Sequence, residues 1–156
     1  MADDDRLVFN LSSGGDVVIK LRPDLAPGHV ERIKTLTESG FYDGVLFHRV
    51  IPGFMAQGGD PTGRGTGGSD LPNLKAEFSR EPHVRGTASM ARTNDPNSAQ
   101  SQFFIVFKES SFLDGKYTVW GKVVKGMECV DKIKRGEPPT NPDKMIKVRV
   151  AADVKE

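Results

Sequence analysis

The feature that most limits the fold of this chain is a series of short apolar segments, each bounded by glycine, proline or a short polar run. Alternating apolar residues at 7–11 and 17–21 flank the polar turn 12–16 and predict a β-hairpin. Only the segments 27–39 and 126–134 have the apolar spacing of a helix. The remaining segments predict further strands at 45–50, 54–57, 86–90, 102–107, 118–124 and 145–154.

The order of these segments indicates a mainly β fold. Strands and helices do not alternate, so a parallel βαβ sheet is not expected. Glycine and proline make 27 of the 156 residues, against a usual share of roughly 12%, which fits a chain with many turns. We expect an eight-stranded antiparallel β-barrel, closed and capped by two α-helices, because closure leaves no exposed strand edge. A β-sandwich with two added helices is the alternative.

Length and charge define the expected setting of the protein. The chain corresponds to a single domain over 1–156, in which the acidic residues 1–5 are expected to form a flexible tail. Its net charge of +1 lacks the basic excess of proteins that bind nucleic acid through phosphates. No segment approaches the roughly 20 apolar residues of a membrane span, and no export signal is recognisable. Because Cys129 is the only cysteine, no disulfide can form within the chain. We expect a cytoplasmic protein, and a monomer, because a small barrel with balanced charge needs no partner.

Metal, cofactor and nucleophile sites are not indicated. His29, His48 and His83 lack the spacing of metal ligands and have no cysteine partner. The glycine-rich stretch 58–68 lacks the Lys-Ser/Thr pair of a phosphate-binding loop, so we interpret it as a surface loop whose glycines adopt positive φ angles. No serine lies in a Gly-x-Ser-x-Gly elbow. The sequence therefore predicts neither a metal ion nor a cofactor.

The segment 47–60, FHRVIPGFMAQGGD, places an arginine and a glutamine among large apolar residues around a tight turn. On composition alone, Phe47, Phe54 and Met55 would be core residues and Arg49 would be a surface charge. This interpretation changes when the rest of the chain is considered.

Three further blocks follow this segment in order: GTASMAR at 86–92 with SQFFI at 101–105, FLDGKY at 112–117, and WGKV at 120–123. Together with 47–60 they resemble the signature of the cyclophilin-type peptidyl-prolyl cis-trans isomerases, and most closely the bacterial type. The resemblance covers most of the chain. It implies an eight-stranded antiparallel barrel closed by two helices, as the strand pattern indicates independently.

The resemblance also implies roles for individual residues. Arg49 matches the catalytic arginine, with His48 beside it at a matching position. The pocket that receives the proline ring is matched by Phe54, Met55, Phe104 and Leu113. Polar groups that bind the substrate or orient the arginine are matched by Gln57 and Gln102, and the backbone segment that pairs with the extended peptide by Ala91, Arg92 and Thr93. Further substrate-binding positions are matched by Phe112, at the pocket rim, and Tyr117.

The chemistry of prolyl isomerisation explains why such residues suffice. Rotation about a peptide bond has a barrier of about 18–20 kcal/mol because the nitrogen lone pair is delocalised into the carbonyl. Selective binding of the twisted amide lowers this barrier without a covalent step. In the twisted state the prolyl nitrogen is a better hydrogen-bond acceptor, and a guanidinium is always charged and only donates.

The expected substrates are proline-containing peptides and folding or unfolded proteins, which would make the protein a folding assistant. A binding module of the same fold, which holds proline segments without turnover, is the main alternative. Phe112 stands where many members carry tryptophan, and Tyr117 where many carry histidine. Since Phe112 has no indole N–H to donate, we expect weakened binding of cyclosporin. An unrelated ligand-binding β-barrel would require every block to match by coincidence.

Overall fold

The computed structural model describes residues 6–63, 67–136 and 139–151. Two α-helices, α1 (Pro27–Glu38) and α2 (Met127–Asp131), and a short 3₁₀ helix (Ser111–Leu113) lie within these residues. The same residues form the strands β1 (Arg6–Leu11), β2 (Asp16–Leu21), β3 (Val45–Leu46), β4 (Arg49–Ile51), β5 (Met55–Gly58), β6 (Thr87–Met90), β7 (Phe103–Val106), β8 (Val119–Lys125) and β9 (Lys144–Val150).

All of these strands belong to one antiparallel sheet, in the order β3-β9-β1-β2-β8-β6-β7-β5-β4. The sheet curls into a half-barrel. Its two end strands, β3 and β4, are separated in the chain only by Phe47 and His48, and within the described residues no ladder pairs them. The short segment 45–51 therefore joins the two ends of the curled sheet through the covalent chain.

The mainly β class, the antiparallel pairing and the two helices are confirmed. Two details differ from the predicted closed, eight-stranded barrel: the described residues form nine strands, and the sheet is a half-barrel whose end strands are not paired with each other. The extra strand arises at 45–50, where a single strand was predicted. Phe47 and His48 are buried there, and the Phe47 amide donates to the carbonyl of Asp143 (2.9 Å), which extends the β3–β9 pairing by one residue. At Arg49 the chain changes its partner to Gln57 on β5, so two strands form in place of one. α2 also ends at Asp131, earlier than the predicted residue 134.

The N-terminus of α1 is capped from a distant part of the chain. Pro27 occupies the first turn, where its missing N–H costs nothing, and Ala26 at the N-cap has no side-chain acceptor. The carboxylate of Glu77 accepts from the backbone N–H groups of Gly28 (3.2 Å) and His29 (2.8 Å). Glu77 thus ties the loop that precedes β6 to the helix.

The apolar side chains form two clusters. In the larger one, the Phe103 ring makes edge-to-face contacts with Phe9 at 5.8 Å and Trp120 at 5.5 Å. A second cluster contains Met55, Phe104, Val106 and Leu113. Three of the four predicted residues of the proline pocket, Met55, Phe104 and Leu113, therefore belong to a cluster separate from the main core, and the fourth, Phe54, packs against that cluster.

Two expectations concern chain termini and membranes. The predicted acidic tail at 1–5, and the end of the strand predicted to reach 154, lie outside the described residues. Within the described part of the chain, none of the helices combines the length and the apolar character needed to cross a bilayer.

Candidate active site

Three predicted site residues form a row across neighbouring strands. Arg49 on β4 pairs with Gln57 on β5, and Gln57 pairs with Phe104 on β7. Directly paired residues of an antiparallel sheet project to the same face. The sequence separation of these residues is large, yet the register places their side chains side by side.

A relay of hydrogen bonds orients the arginine. Arg49 Nη1 donates to Gln57 Oε1 at 3.3 Å, and Gln57 Nε2 donates to Gln102 Oε1 at 3.0 Å. Gln102 Nε2 in turn donates to the backbone carbonyl of Gly67 at 3.0 Å. Because the Gln57 amide nitrogen donates to Gln102, the Gln57 oxygen is turned towards the guanidinium. In the same way, the donation from Gln102 to Gly67 turns the Gln102 oxygen towards Gln57. The exposed Arg49 side chain is therefore anchored, through two amides, to backbone.

An apolar pocket of about 100 Å³ lies next to this row. Its floor is made by Met55, Phe104 and Leu113, which are 2%, 5% and 7% exposed. A guanidinium at the edge of such a pocket can donate to an acceptor on a ring that the pocket holds. The residues that line the pocket are Arg49, Phe54, Met55, Gln57, Ala91, Arg92, Phe104, Leu113 and Tyr117.

Phe112 lies at the rim, outside the pocket lining. Its side chain is 64% exposed, and its ring centroid is 5.4 Å from that of Phe54 with an angle of 42° between the planes. Phe112 therefore extends the apolar surface beyond the pocket through its contact with Phe54.

Arg92 supports one wall of the pocket with its side chain. Its Nε and Nη2 donate to the Lys116 carbonyl at 3.2 and 2.5 Å, and Nη1 donates to the Thr93 carbonyl at 2.9 Å. The guanidinium carbon lies 4.6 Å from the centroid of the Tyr117 ring, a distance typical of cation–π contacts. Tyr117 meets Phe104 edge-on at 5.7 Å. Sequence reasoning assigned Arg92 to peptide binding and missed this packing role.

A larger polar cavity of about 760 Å³ adjoins the pocket, and Gln57, Ala91 and Arg92 line both. Predicted residues Thr93 and Gln102 line only this second cavity. The glycine-rich loop borders it through Gly67 and Gly68. Of the described glycines in this loop, Gly59 (100°) and Gly63 (71°) have the predicted positive φ angles, whereas Gly58, Gly67 and Gly68 do not. The start of the loop, residues 58–60, is buried and not at the surface as predicted. The cavity is further lined by Ser69, Asn73, Asp95, Ser98 and Gln100.

Besides Phe112, His48 is the predicted site residue that lines neither cavity. It is 7% exposed, and its Nδ1 has no hydrogen-bond partner among the described residues. Burial lowers the pKa of His48 from its ordinary value of 6.5, the Asp60 charge opposes this shift, and the Arg49 charge adds to it. A neutral, buried imidazole behind Arg49 is a packing group.

Behind the pocket lies a histidine to which the sequence assigned no role. His83 is 1% exposed and contacts Asp114, Ser89 and the ring of Phe104. Ser89 and Asp114 lie within the blocks of the family signature, and this was the signal in the sequence that pointed to the contact. His83 itself lies outside these blocks. Within the described residues, no three histidine, cysteine or carboxylate side chains gather as a metal site would require.

Comparison with known proteins places this arrangement in context. The family model described as "Cyclophilin type peptidyl-prolyl cis-trans isomerase/CLD" matches residues 6–151. A "Probable peptidyl-prolyl cis-trans isomerase" of Brucella suis is 54% identical over 170 aligned positions, which cover 99% of this chain and 87% of the relative. "Peptidyl-prolyl cis-trans isomerase B" of Bacillus subtilis is 43% identical, covering 83% of this chain and 90% of the relative.

Solved structures show the same similarity. A cyclophilin from Hirschia baltica superimposes with a TM-score of 0.91 at 32% identity, covering 99% of this chain and 77% of that structure. A Cryptosporidium parvum cyclophilin-type isomerase, crystallised in the presence of the dipeptide Ala-Pro, gives a TM-score of 0.86 at 28% identity and covers 93% of this chain and 98% of that structure.

Proposed function

This chain belongs to the cyclophilin-type peptidyl-prolyl cis-trans isomerase family and accelerates rotation about Xaa-Pro bonds, and we propose that Arg49 is its catalytic donor. The observation that carries this assignment is the amide relay, which aims a guanidinium at the edge of an apolar pocket. A cation held by two amides costs little further ordering when substrate binds.

The proposed role of Arg49 follows from the electronic change during rotation. In a planar amide the nitrogen lone pair is delocalised, so the prolyl nitrogen is a poor acceptor. As the amide twists, the lone pair localises and the nitrogen accepts a hydrogen bond from the guanidinium. The bond is stronger in the twisted state than in either planar form, which is the condition for rate acceleration. Gln57 orients the donor and takes no part in the chemistry.

The pocket provides the second half of the mechanism. Met55, Phe104 and Leu113 hold the proline ring, with Phe54 and Tyr117 at its sides, while the carbonyl on the other side of the bond rotates. Burying the ring also keeps water from competing for the Arg49 donor. No proton is transferred and no covalent bond forms in this mechanism.

The segment 91–93 is proposed to pair with the extended peptide. The Ala91 amide donates to the Gln102 carbonyl at 3.0 Å, and the Thr93 amide donates to Ser98 Oγ at 2.9 Å. Both N–H groups therefore have acceptors within the protein. We assign the pairing to the Ala91 carbonyl and the Arg92 amide.

Proline-containing peptides and folding proteins are the proposed partners. The isomerase from Cryptosporidium parvum was crystallised with Ala-Pro, which supports short Xaa-Pro ligands here. We propose that the chain acts as a folding assistant, as a monomer, in the cytoplasm. The buried single cysteine, Cys129, and the nearly balanced charge support this setting. Light scattering on the purified chain tests the oligomeric state, and fractionation of cells tests the location.

We further propose that cyclosporin binds weakly, because Phe112 lacks an N–H donor.

The function is tested in a protease-coupled assay on a short Xaa-Pro peptide. Arg49→Ala should lower kcat/KM by about a hundredfold, the effect of losing one charge-assisted hydrogen bond in the transition state. Gln57→Leu should lower it by about tenfold, because the donor remains and loses its orientation. Arg22→Ala is the matched control, since Arg22 is paired with Asp24 away from the pocket.

Equal rates for wild type and Arg49→Ala would exclude the assigned mechanism. A wild-type rate no faster than the uncatalysed reaction would instead support a binding module of the same fold.

A further inference from the structure

His83 connects three parts of the pocket from behind. Its backbone N–H donates to Asp114 Oδ1 at 2.7 Å, and its Nδ1 lies 3.0 Å from the same oxygen. On the other side of the ring, Nε2 lies 2.9 Å from Ser89 Oγ on β6. A carboxylate only accepts, so Nδ1 carries the proton, and the single hydroxyl proton of Ser89 faces two acceptors, His83 Nε2 and the Thr118 carbonyl at 3.0 Å.

The imidazole also backs the floor of the pocket. Its ring lies within 17° of parallel to the Phe104 ring, with 6.2 Å between centroids. Asp114, held by His83, directly follows the 3₁₀ helix whose last residue is the pocket residue Leu113. The buried His83 side chain thus contacts Ser89 on β6 and the floor residue Phe104. It also contacts Asp114, which directly follows the floor residue Leu113.

The order of contacts Ser89–His83–Asp114 is that of a hydrolase triad, so a nucleophilic role has to be weighed. A nucleophile must reach its substrate, and Ser89 is 0% exposed. Its hydroxyl also lies 3.0 Å from the Thr118 carbonyl, and Ser89 lines neither the pocket nor the polar cavity beside it. The burial argues against acyl transfer and in favour of a supporting role.

We propose that His83 is a positioning residue of the isomerase site, which fixes the spacing between Phe104 and Leu113 and thereby sets the affinity for the proline ring. The proposal rests on the function proposed above. Because His83 contacts floor residues and lies away from the Arg49 relay, its loss should weaken binding of the substrate and leave the rate of the bound substrate nearly unchanged.

The test measures dissociation constants and exchange rates at saturation by NMR on an Ala-Pro-containing peptide. His83→Phe keeps an aromatic ring beside Phe104 and removes both hydrogen bonds. We expect a dissociation constant about tenfold higher, the cost of one lost polar contact, with an exchange rate at saturation within about twofold of wild type. His83→Asn, which retains an N–H near the Nδ1 position for Asp114, should recover most of the affinity.

The matched control is His29→Phe. His29 is 0% exposed and its Nδ1 lies 2.5 Å from the Glu77 carboxylate, so this variant also removes a buried histidine–carboxylate contact, but at α1. Both variants should lower the melting temperature, and only His83→Phe should raise the dissociation constant.

An unchanged dissociation constant in folded His83→Phe, or an equal rise in His29→Phe, would overturn the proposal. Covalent labelling of wild type at Ser89 by a fluorophosphonate would overturn it in favour of a nucleophile. Arg49→Ala in the same assay separates the two proposals: if it lowers the exchange rate while His83→Phe changes nothing, the proposed function stands and the inference fails.

Discussion

At the scale of single residues, the site depends on how one exposed cation is oriented. Arg49 has a long, flexible side chain, which is ordered by Gln57, 8 positions away, and Gln57 is held in turn by Gln102, a further 45 positions along the chain. The residue types were predictable from the family signature. The relay was not, because it requires the register of β4, β5 and β7, which no local pattern specifies.

The aromatic residue at the rim gives a prediction about cyclosporin. Phe112 is 64% exposed beside Phe54, so a larger ring can be accommodated there. Phe112→Trp adds an indole N–H at the rim, and we expect cyclosporin to bind about tenfold more tightly than it does to wild type. Isothermal titration on both proteins measures the change. Equal affinities would show that the missing donor is not what weakens binding.

At the scale of elements, the short segment between β3 and β4 matters most for the site. Its interruption at Phe47 and His48 lets Arg49 pair with β5 in place of continuing along β9. Alternating apolar residues predicted a continuous strand at 45–50. Pairing with β9 continues to Phe47, whose amide donates to the carbonyl of Asp143, 96 positions away, and at Arg49 the partner becomes β5. No local pattern specifies this change of partner.

The N-terminus of α1 gives a stability prediction. Glu77→Ala removes the acceptor for the amides of Gly28 and His29, and we expect the free energy of unfolding to fall by about 2 kcal/mol. Glu31, exposed on the same helix, provides the control, and Glu31→Ala should change stability by less than about 0.5 kcal/mol. Urea denaturation measures both. Equal losses for the two variants would contradict the capping role of Glu77.

Local signals explain which elements could be predicted. The hairpin β1–β2 has a clear alternation and a polar turn, and α1 has a proline at its start, an apolar stripe, and Gly40 with a φ of 79° after its end. Glu77 at the N-terminus of α1 and His83 behind the pocket act through contacts that are distant in sequence. Such contacts are fixed only once the sheet has formed.

At the scale of the whole molecule, burial sets the response of stability to pH. His29, His48 and His83 are 0%, 7% and 1% exposed, and burial lowers the pKa of each from 6.5. As the pH falls through 6.5, the unfolded chain binds protons that the folded chain does not yet bind. The folded state therefore loses stability with decreasing pH, by up to about 1.4 kcal/mol per pH unit for each histidine.

Denaturant unfolding at pH 8.0, 6.5 and 5.5 measures this effect. We expect little change between the first two values and a clear loss at the third, with a smaller loss in His29→Phe because one titrating group is removed. A free energy of unfolding that is constant down to pH 5.5 would contradict the assigned shifts. Catalysis, which uses no titrating group, should vary little between about pH 6 and 9.

The central claim is that Arg49 binds the twisted amide more tightly than either planar form. NMR exchange spectroscopy on a saturating Xaa-Pro peptide tests it most directly, because the rate on the enzyme and the dissociation constant come from one sample. For Arg49→Ala we expect an exchange rate about a hundredfold lower with a dissociation constant within about threefold of wild type. A dissociation constant that rises by as much as kcat/KM falls, with the exchange rate of the bound peptide unchanged, would contradict it.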